Sequence, residues 1–385
     1  MKRNESSSIS AGCFEYANRR ISVHSFDQVS LRWLNEFLCP AFQPVDNGPA
    51  DWTIFVEDDP AFYNKYITQP SHHPPELLDC FTLDGSFTSH EVLHRQDTTV
   101  IVRDQNRGII YKIDAVQSRI SIVGLPNRRI QRMSVARVIR ELATVHCLNS
   151  GQLHCHGAAF AINGKAIVLA GVKCAGKTSN LIHATNDPAA QFISNDRLFL
   201  QTDCDEPVVR GMPTIFKVRP KTLELLPDFG KRWRVHPYHF LETLGEAEYA
   251  FSERRKNLFE KPEVEPRLSN AQFCELRNTS AVCTAKLGAI VFPVISSHIK
   301  REKVEALRPD VASHKLFTES LLKASSPQQT AKAFRRSDEL SIISDDDVKS
   351  QCDLITSQVP CFRFTVGPDI YQRPHILPAL LRTAA

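Results

Sequence analysis

Residues Gly171-Val172-Lys173-Cys174-Ala175-Gly176-Lys177-Thr178 match the pattern GxxxxGK[ST] at every fixed position. Each fixed residue type has a physical purpose. Gly171 and Gly176 let the backbone wrap closely round a polyphosphate, so that successive N–H groups point at it, and a helix N-terminus behind the loop adds partial positive charge. Lys177 brings a point charge to the β and γ oxygens, while the Thr178 hydroxyl can ligate the Mg2+ that bridges them. Val172, Lys173, Cys174 and Ala175 fill the loop, and Ser179 opens the segment behind it.

Phosphoryl transfer needs, in addition, a carboxylate facing the terminal phosphate, to hold metal or to accept the proton of an attacking hydroxyl. Residues 191–194 read as a short strand ending at Asn195-Asp196-Arg197, and in open α/β sheets ligands gather at the carboxyl ends of strands. Asp196 is therefore the first candidate, against the plainer reading of a turn aspartate before Leu198-Phe199-Leu200. Arg210, Lys217 and Arg219, and the run Arg254-Arg255-Lys256, are further cations that could clamp a phosphate, although each alone reads as surface charge.

The elements that must position these residues are legible nearby. Residues 158–162 and 166–170 are short apolar runs separated by Asn163-Gly164-Lys165, the signature of a hairpin turn. The second run leads into the loop, and the helix-compatible Ser179-Asn180-Leu181-Ile182-His183-Ala184 follows. Strand, loop and helix in that order are the context the motif demands.

The stretch His154-Cys155-His156-Gly157-Ala158-Ala159, then Asn163-Gly164, the loop, and Ile193-Ser194-Asn195-Asp196-Arg197 resembles the HPr kinase/phosphorylase-like group of P-loop kinases. It looks most like the HPr-kinase-related branch, in which Asn-Asp-Arg is followed by a Gly-x-Pro segment, here Gly211-Met212-Pro213, with Val218-Arg219-Pro220-Lys221-Thr222-Leu223 behind it. The likeness covers roughly residues 150–225, and weaker similarity continues through residues 287–293 and 359–367. It implies an α/β fold, a mixed sheet flanked by helices, and transfer from ATP with Mg2+ to a hydroxyl, often a serine. By the same resemblance His156 lies near the phosphates and Asp196 is the second member of an acidic pair. Asn195 departs from the founding members, where both members are aspartates; an amide accepts a hydrogen bond but takes no proton near neutral pH. Asp196 must then serve both purposes, or His156 supplies the base, or transfer is weak. The reverse, dephosphorylating activity of the founding members is not expected.

The N-terminal part reads differently. Residues 21–26, 52–56, 99–103, 109–114 and 118–123 are β-rich runs, with a turn at Gln105-Asn106-Arg107-Gly108, and residues 27–38 carry apolar residues at helical spacing. A boundary is expected near Pro126. A helix capped by Ser134 should run through Leu148, with Arg132, Arg137 and Arg140 on a solvated face. The expected organisation is a tail over residues 1–19, a β-rich α+β domain over 20–130 and a P-loop domain over 131–385.

Composition narrows the partners. With 47 basic and 43 acidic residues the net charge is +4, too little for a protein that coats nucleic acid. The nearly apolar stretches 166–172 and 289–295 fall far short of the roughly 18 residues of a membrane span, and MKRNESSSISAGC has no apolar core behind its charges. Eleven scattered cysteines without a CxxC pair suggest a reducing, cytoplasmic setting. His146, Cys147, His154, Cys155 and His156 do not converge as a zinc site should, because alternation along a strand sends them to both faces. His72-His73 reads as a loop, and Asp345-Asp346-Asp347 as the first turn of a helix. The expectation is a kinase acting on a protein, peptide or small-molecule acceptor, with self-association left open. The alternative from another class is a nucleotide-binding regulatory or partner-engaging ATPase. A carboxykinase would want a further metal site, which these residues do not assemble.

Overall fold

The computed structural model of the protein describes residues 10–70, 74–81, 87–96, 98–124, 128–202, 206–235, 267–322 and 344–372, with Leu377. The His72-His73 pair, the Arg254-Arg255-Lys256 run and the first nine residues of the expected tail lie outside them. The described residues form a mixed α/β structure with mixed sheets flanked by helices, in two compact units that meet in sequence between Asn149 and Ser150. Among them no helix is long and apolar enough to cross a membrane.

The first unit contains β1 (Ser10–Tyr16), β2 (Arg19–Phe26), α1 (Gln28–Leu38), β3 (Gln43–Val45), β4 (Trp52–Glu57), α2 (Pro60–Ile67), β5 (Leu77–Phe81), β6 (Phe87–Gln96), β7 (Thr99–Asp104), β8 (Ile109–Asp114), β9 (Arg119–Gly124) and α3 (Arg128–Asn149). Its sheet has the order β3-β1-β2-β4-β9-β8-β7-β6-β5, parallel only where β4 meets β2 and β9. Asp27 starts α1 by accepting from the Ser30 N–H at 2.8 Å, and Trp33, Leu34, Phe37 and Leu38 form its buried stripe.

Three expectations change here. Strand β1 begins at Ser10, within the expected tail, because Ala17 and Asn18 both adopt positive φ and turn the chain into a hairpin with β2. Helix α3 starts at Arg128, so Ser134 lies inside it, fully buried, rather than at its cap. The helix also belongs to the first unit, beyond the expected boundary at 130. Arg132 Nε donates to Ser30 Oγ at 2.8 Å, Arg137 Nη1 to Asp104 Oδ2 at 3.2 Å, and His146 Nε2 lies 2.9 Å from the Ala17 carbonyl oxygen. Arg132, Arg137 and Arg140 are accordingly buried rather than solvated; buried guanidinium groups persist where they are paired.

The second unit runs through β10 (Leu153–His156), β11 (Ala158–Ile162), β12 (Lys165–Leu169), α4 (Lys177–Ala184), β13 (Gln191–Ser194), β14 (Arg197–Gln201), β15 (Val208–Met212), β16 (Phe216–Lys217), α5 (Pro220–Leu225), α6 (Pro227–Val235), β17 (Arg267–Leu268), α7 (Asn270–Arg277), β18 (Thr284–Ile295), β19 (Lys303–Ala306) and α8 (Pro309–Lys315). A π-helical turn, Leu316–Ser320, continues α8, and α9 (Asp345–Gln358) and β20 (Cys361–Val366) follow. The sheet order is β10-β14-β15-β18-β12-β11-β13. The long strand β18 lies parallel to β12 and, over its second half, to β20.

Strand β12 is buried on both faces. Ile167 and Leu169 enter one cluster with Phe160, Phe192, Phe216 and Phe273, while Ala166, Val168 and Ala170 enter another with Ile290, Phe292 and Ile355. Such two-sided burial explains a continuous apolar run in place of an alternating one. The Asn163-Gly164 turn joins β11 to β12 with both residues at positive φ. Ser344 caps α9 by accepting from the Asp347 N–H at 3.0 Å, so Asp345, Asp346 and Asp347 occupy its first turn as expected.

Candidate functional site

The loop from Gly171 to Thr178 springs from the end of β12, the central buried strand, and delivers the chain into α4. Its path requires left-handed backbone: φ is +128° at Gly171, +68° at Cys174 and +100° at Gly176. At Gly176 the positive φ favours glycine, and a Cβ would also press on the Ile295 side chain, 2.7 Å from its Cδ1. No side chain caps the N-terminus of α4, which leaves its first N–H groups directed toward the loop, where an anion can accept from them.

Lys177 is buried and folds back across the loop. Its Nζ donates to the carbonyls of Gly171 at 2.6 Å and Val172 at 3.0 Å. Two of the three ammonium donors are thus engaged within the loop, and the third can serve an anion. Burial lowers the Lys177 pKa, against the opposing charges of Asp196 and Glu319. A bound polyphosphate would relieve that desolvation. Ser179 Oγ lies 3.3 Å from Thr222 Oγ1 of α5, and Asn180 Nδ2 donates to the Gly176 carbonyl at 3.0 Å, so the start of α4 is tied to its surroundings. Val172, Lys173 and Cys174 are exposed, and Ala175 and Thr178 are half-buried.

Asp196 stands in the turn between β13 and β14. Its backbone carbonyl accepts from the Gly157 N–H at 3.1 Å, and register pairs His156 with Arg197. Consequently His156 Nε2 reaches Asp196 Oδ1 at 3.1 Å, while Arg197 Nε lies 3.1 Å from Oδ2. Burial works against the charged form of Asp196, but the hydrogen bond from His156 and the charges of Arg197, His156 and Lys177 outweigh it and bring the carboxyl down to about 2. The neighbouring Asn195 is occupied otherwise: Thr214 Oγ1 donates to its Oδ1 at 2.7 Å, and its Nδ2 faces the Ile215 carbonyl at 3.5 Å.

Of the cations singled out in sequence, Arg219 comes to the loop, donating to Cys174 Sγ at 3.0 Å. Arg210 and Lys217 lie on β15 and β16. The histidines and cysteines of β10 separate as alternation demands: His154 stacks on Phe199 at 4.6 Å, Cys155 is fully buried, and His156 faces Asp196. Among the described residues no group of three or more metal-ligating side chains converges.

Two residues escaped the sequence reading. Ser320 Oγ accepts from the Gly171 N–H at 2.6 Å across 149 positions of chain, and Glu319 Oε2 lies 3.7 Å from the point a Cβ at residue 171 would occupy. Both belong to the π-helical turn, a geometry that often marks functional sites. No local pattern in sequence announces it. No protein-family model matches the sequence, and no curated protein matches it.

Proposed function

We propose that the second unit binds MgATP on the 171–178 loop and transfers the γ-phosphoryl group to a hydroxyl of a protein, peptide or small molecule, with serine the expected acceptor. The HPr kinase-like resemblance of residues 150–225 and the mixed sheet support the corresponding P-loop kinase core. The observation that carries the reading is the buried Lys177 ammonium, held on the Gly171 and Val172 carbonyls with the Asp196 carboxylate acting on it.

In this reading Lys177 and the N-terminus of α4 hold the β and γ oxygens. The Thr178 hydroxyl and the Asp196 carboxylate are hard oxygen donors, and such a set suits Mg2+, which takes one or two carboxylates beside phosphate and keeps water. When bound, the metal neutralises charge on the transferring group. His156 and Arg197 hold the Asp196 carboxylate ionised and oriented. Arg219, at the loop through Cys174, is positioned to contact phosphate.

A second reading, a nucleotide-binding regulator that hydrolyses ATP slowly, draws on Asn195, whose amide is engaged with Thr214 and is no substitute for an acid. The test is binding of labelled MgATP followed by transfer to candidate hydroxyl acceptors, with Lys177→Ala and Asp196→Ala beside the wild type. Lys177→Ala is expected to lose nucleotide binding; unchanged binding would reject the site. Stimulation of ATP turnover by an acceptor separates the kinase from the regulator.

A further inference from the structure

We propose that Glu319 is the second carboxylate of this site and accepts the proton of the attacking hydroxyl. The proposal rests on the phosphotransfer reading above and supplies what that reading lacks. Asn195 cannot take a proton, and Asp196 has His156 hydrogen-bonded to one oxygen while the other is buried beside the Arg197 guanidinium.

Glu319 is differently placed. Its Oε1 accepts from Lys315 one helical turn earlier, and the Lys315 ammonium in turn lies over the Phe292 ring of β18. Its Oε2 faces Gly171, the residue whose carbonyl holds Lys177. Glu319 and Lys177 therefore approach the first residue of the loop together, and Asp196 and Glu319 are the two carboxylates whose charges act on Lys177.

The turn carrying Glu319 is anchored at both ends. Leu316 is fully buried in the core, Ser320 is bound to the Gly171 N–H, and beyond it the Leu322 N–H donates to the His154 carbonyl of β10 at 2.9 Å. With 24% of its side chain exposed, Glu319 stays within reach of solvent and of an incoming hydroxyl. In the step, the hydroxyl oxygen bonds to the γ-phosphorus as the bond from that phosphorus to the β–γ bridging oxygen breaks. The electron pair leaves on ADP, and the hydroxyl proton passes to Oε2 and then to solvent.

The experiment uses the full chain and MgATP, with water as the attacking hydroxyl, and measures nucleotide affinity and ADP release separately. Glu319→Gln, isosteric and partly exposed, is expected to bind MgATP as the wild type does while turnover falls about 100-fold or more. Added formate is expected to restore turnover to Glu319→Ala, which a merely structural role would not allow. Wild-type turnover in Glu319→Gln, a parallel loss of MgATP affinity, or a Glu319→Ala enzyme indifferent to formate would each overturn the assignment. Failure of the phosphotransfer reading looks different: the wild type itself would neither bind nor consume MgATP, and Lys177→Ala would match it.

Discussion

The Nε2 of His156 lies 3.1 Å from Oδ1 of Asp196, joining the end of β10 to the turn that follows β13. Two strand ends thereby converge beside the glycine loop, and the carboxylate they share is held ionised.

The consequence for stability has a definite sign. The Asp196 carboxyl is lowered from an ordinary 3.8 to about 2, so its contribution is complete above the unfolded value and is lost as pH falls through the folded one. That contribution is about 2 kcal/mol by linkage. Urea unfolding of the wild type and Asp196→Asn is expected to show a gap of that order near neutral pH, closing as the solution is acidified toward about pH 2. A gap independent of pH would refute the linkage.

Lys177 behaves in the opposite sense. Burial lowers its pKa below 10.5, so the folded chain bears a penalty for the charged form at neutral pH, and the penalty fades as pH rises toward the unfolded value. Lys177→Met is therefore expected to lose MgATP binding while unfolding at the wild-type temperature or above it. Scanning calorimetry beside a binding titration checks this; a variant that lost several degrees would mean that the two carbonyl hydrogen bonds outweigh the desolvation.

The legible parts of this molecule were those specified by neighbours in sequence. The 171–178 loop, the Asn163-Gly164 turn and the Asp27 start of α1 each follow from residue types a few positions apart. Glu319 and Ser320 did not, because their meeting with Gly171 is a product of tertiary folding with no short-range pattern. The β1–β2 hairpin was hidden by its turn, since Ala17-Asn18 lacks the glycine that usually permits two consecutive left-handed residues. The arginines of α3 misled for another reason: helical periodicity separates apolar from polar faces, but cannot tell a polar face in water from one paired with Asp104 and Ser30.

Gly211, in β15, tests the packing beneath the site. A Cβ there would stand 2.3 Å from the backbone oxygen of Ile193, two residues before Asn195. Because the obstacle is backbone, relief requires β13 to shift. Gly211→Ala is expected to destabilise the chain by about 2–3 kcal/mol, measured by urea unfolding, and to weaken MgATP turnover through displacement of Asp196. Unaltered stability would mean that the sheet yields there without cost.

Asp104, in the first unit, provides a test independent of the nucleotide. It is fully buried, and its Oδ2 accepts from Arg107 Nη1 at 3.0 Å and from Arg137 Nη1 at 3.2 Å. Burial alone would raise its pKa, but the charges of Arg137 and Arg107 and the hydrogen bond from Arg107 hold it below the usual range. Removing the carboxylate leaves the buried Arg137 guanidinium its bond to the Tyr111 hydroxyl but takes away the anion that faces it, so Asp104→Ala is expected to cost about 3–5 kcal/mol in urea unfolding. Adding Arg137→Met removes the guanidinium charge, and the double variant should recover part of that loss; a strictly additive pair would show that the two side chains are not coupled.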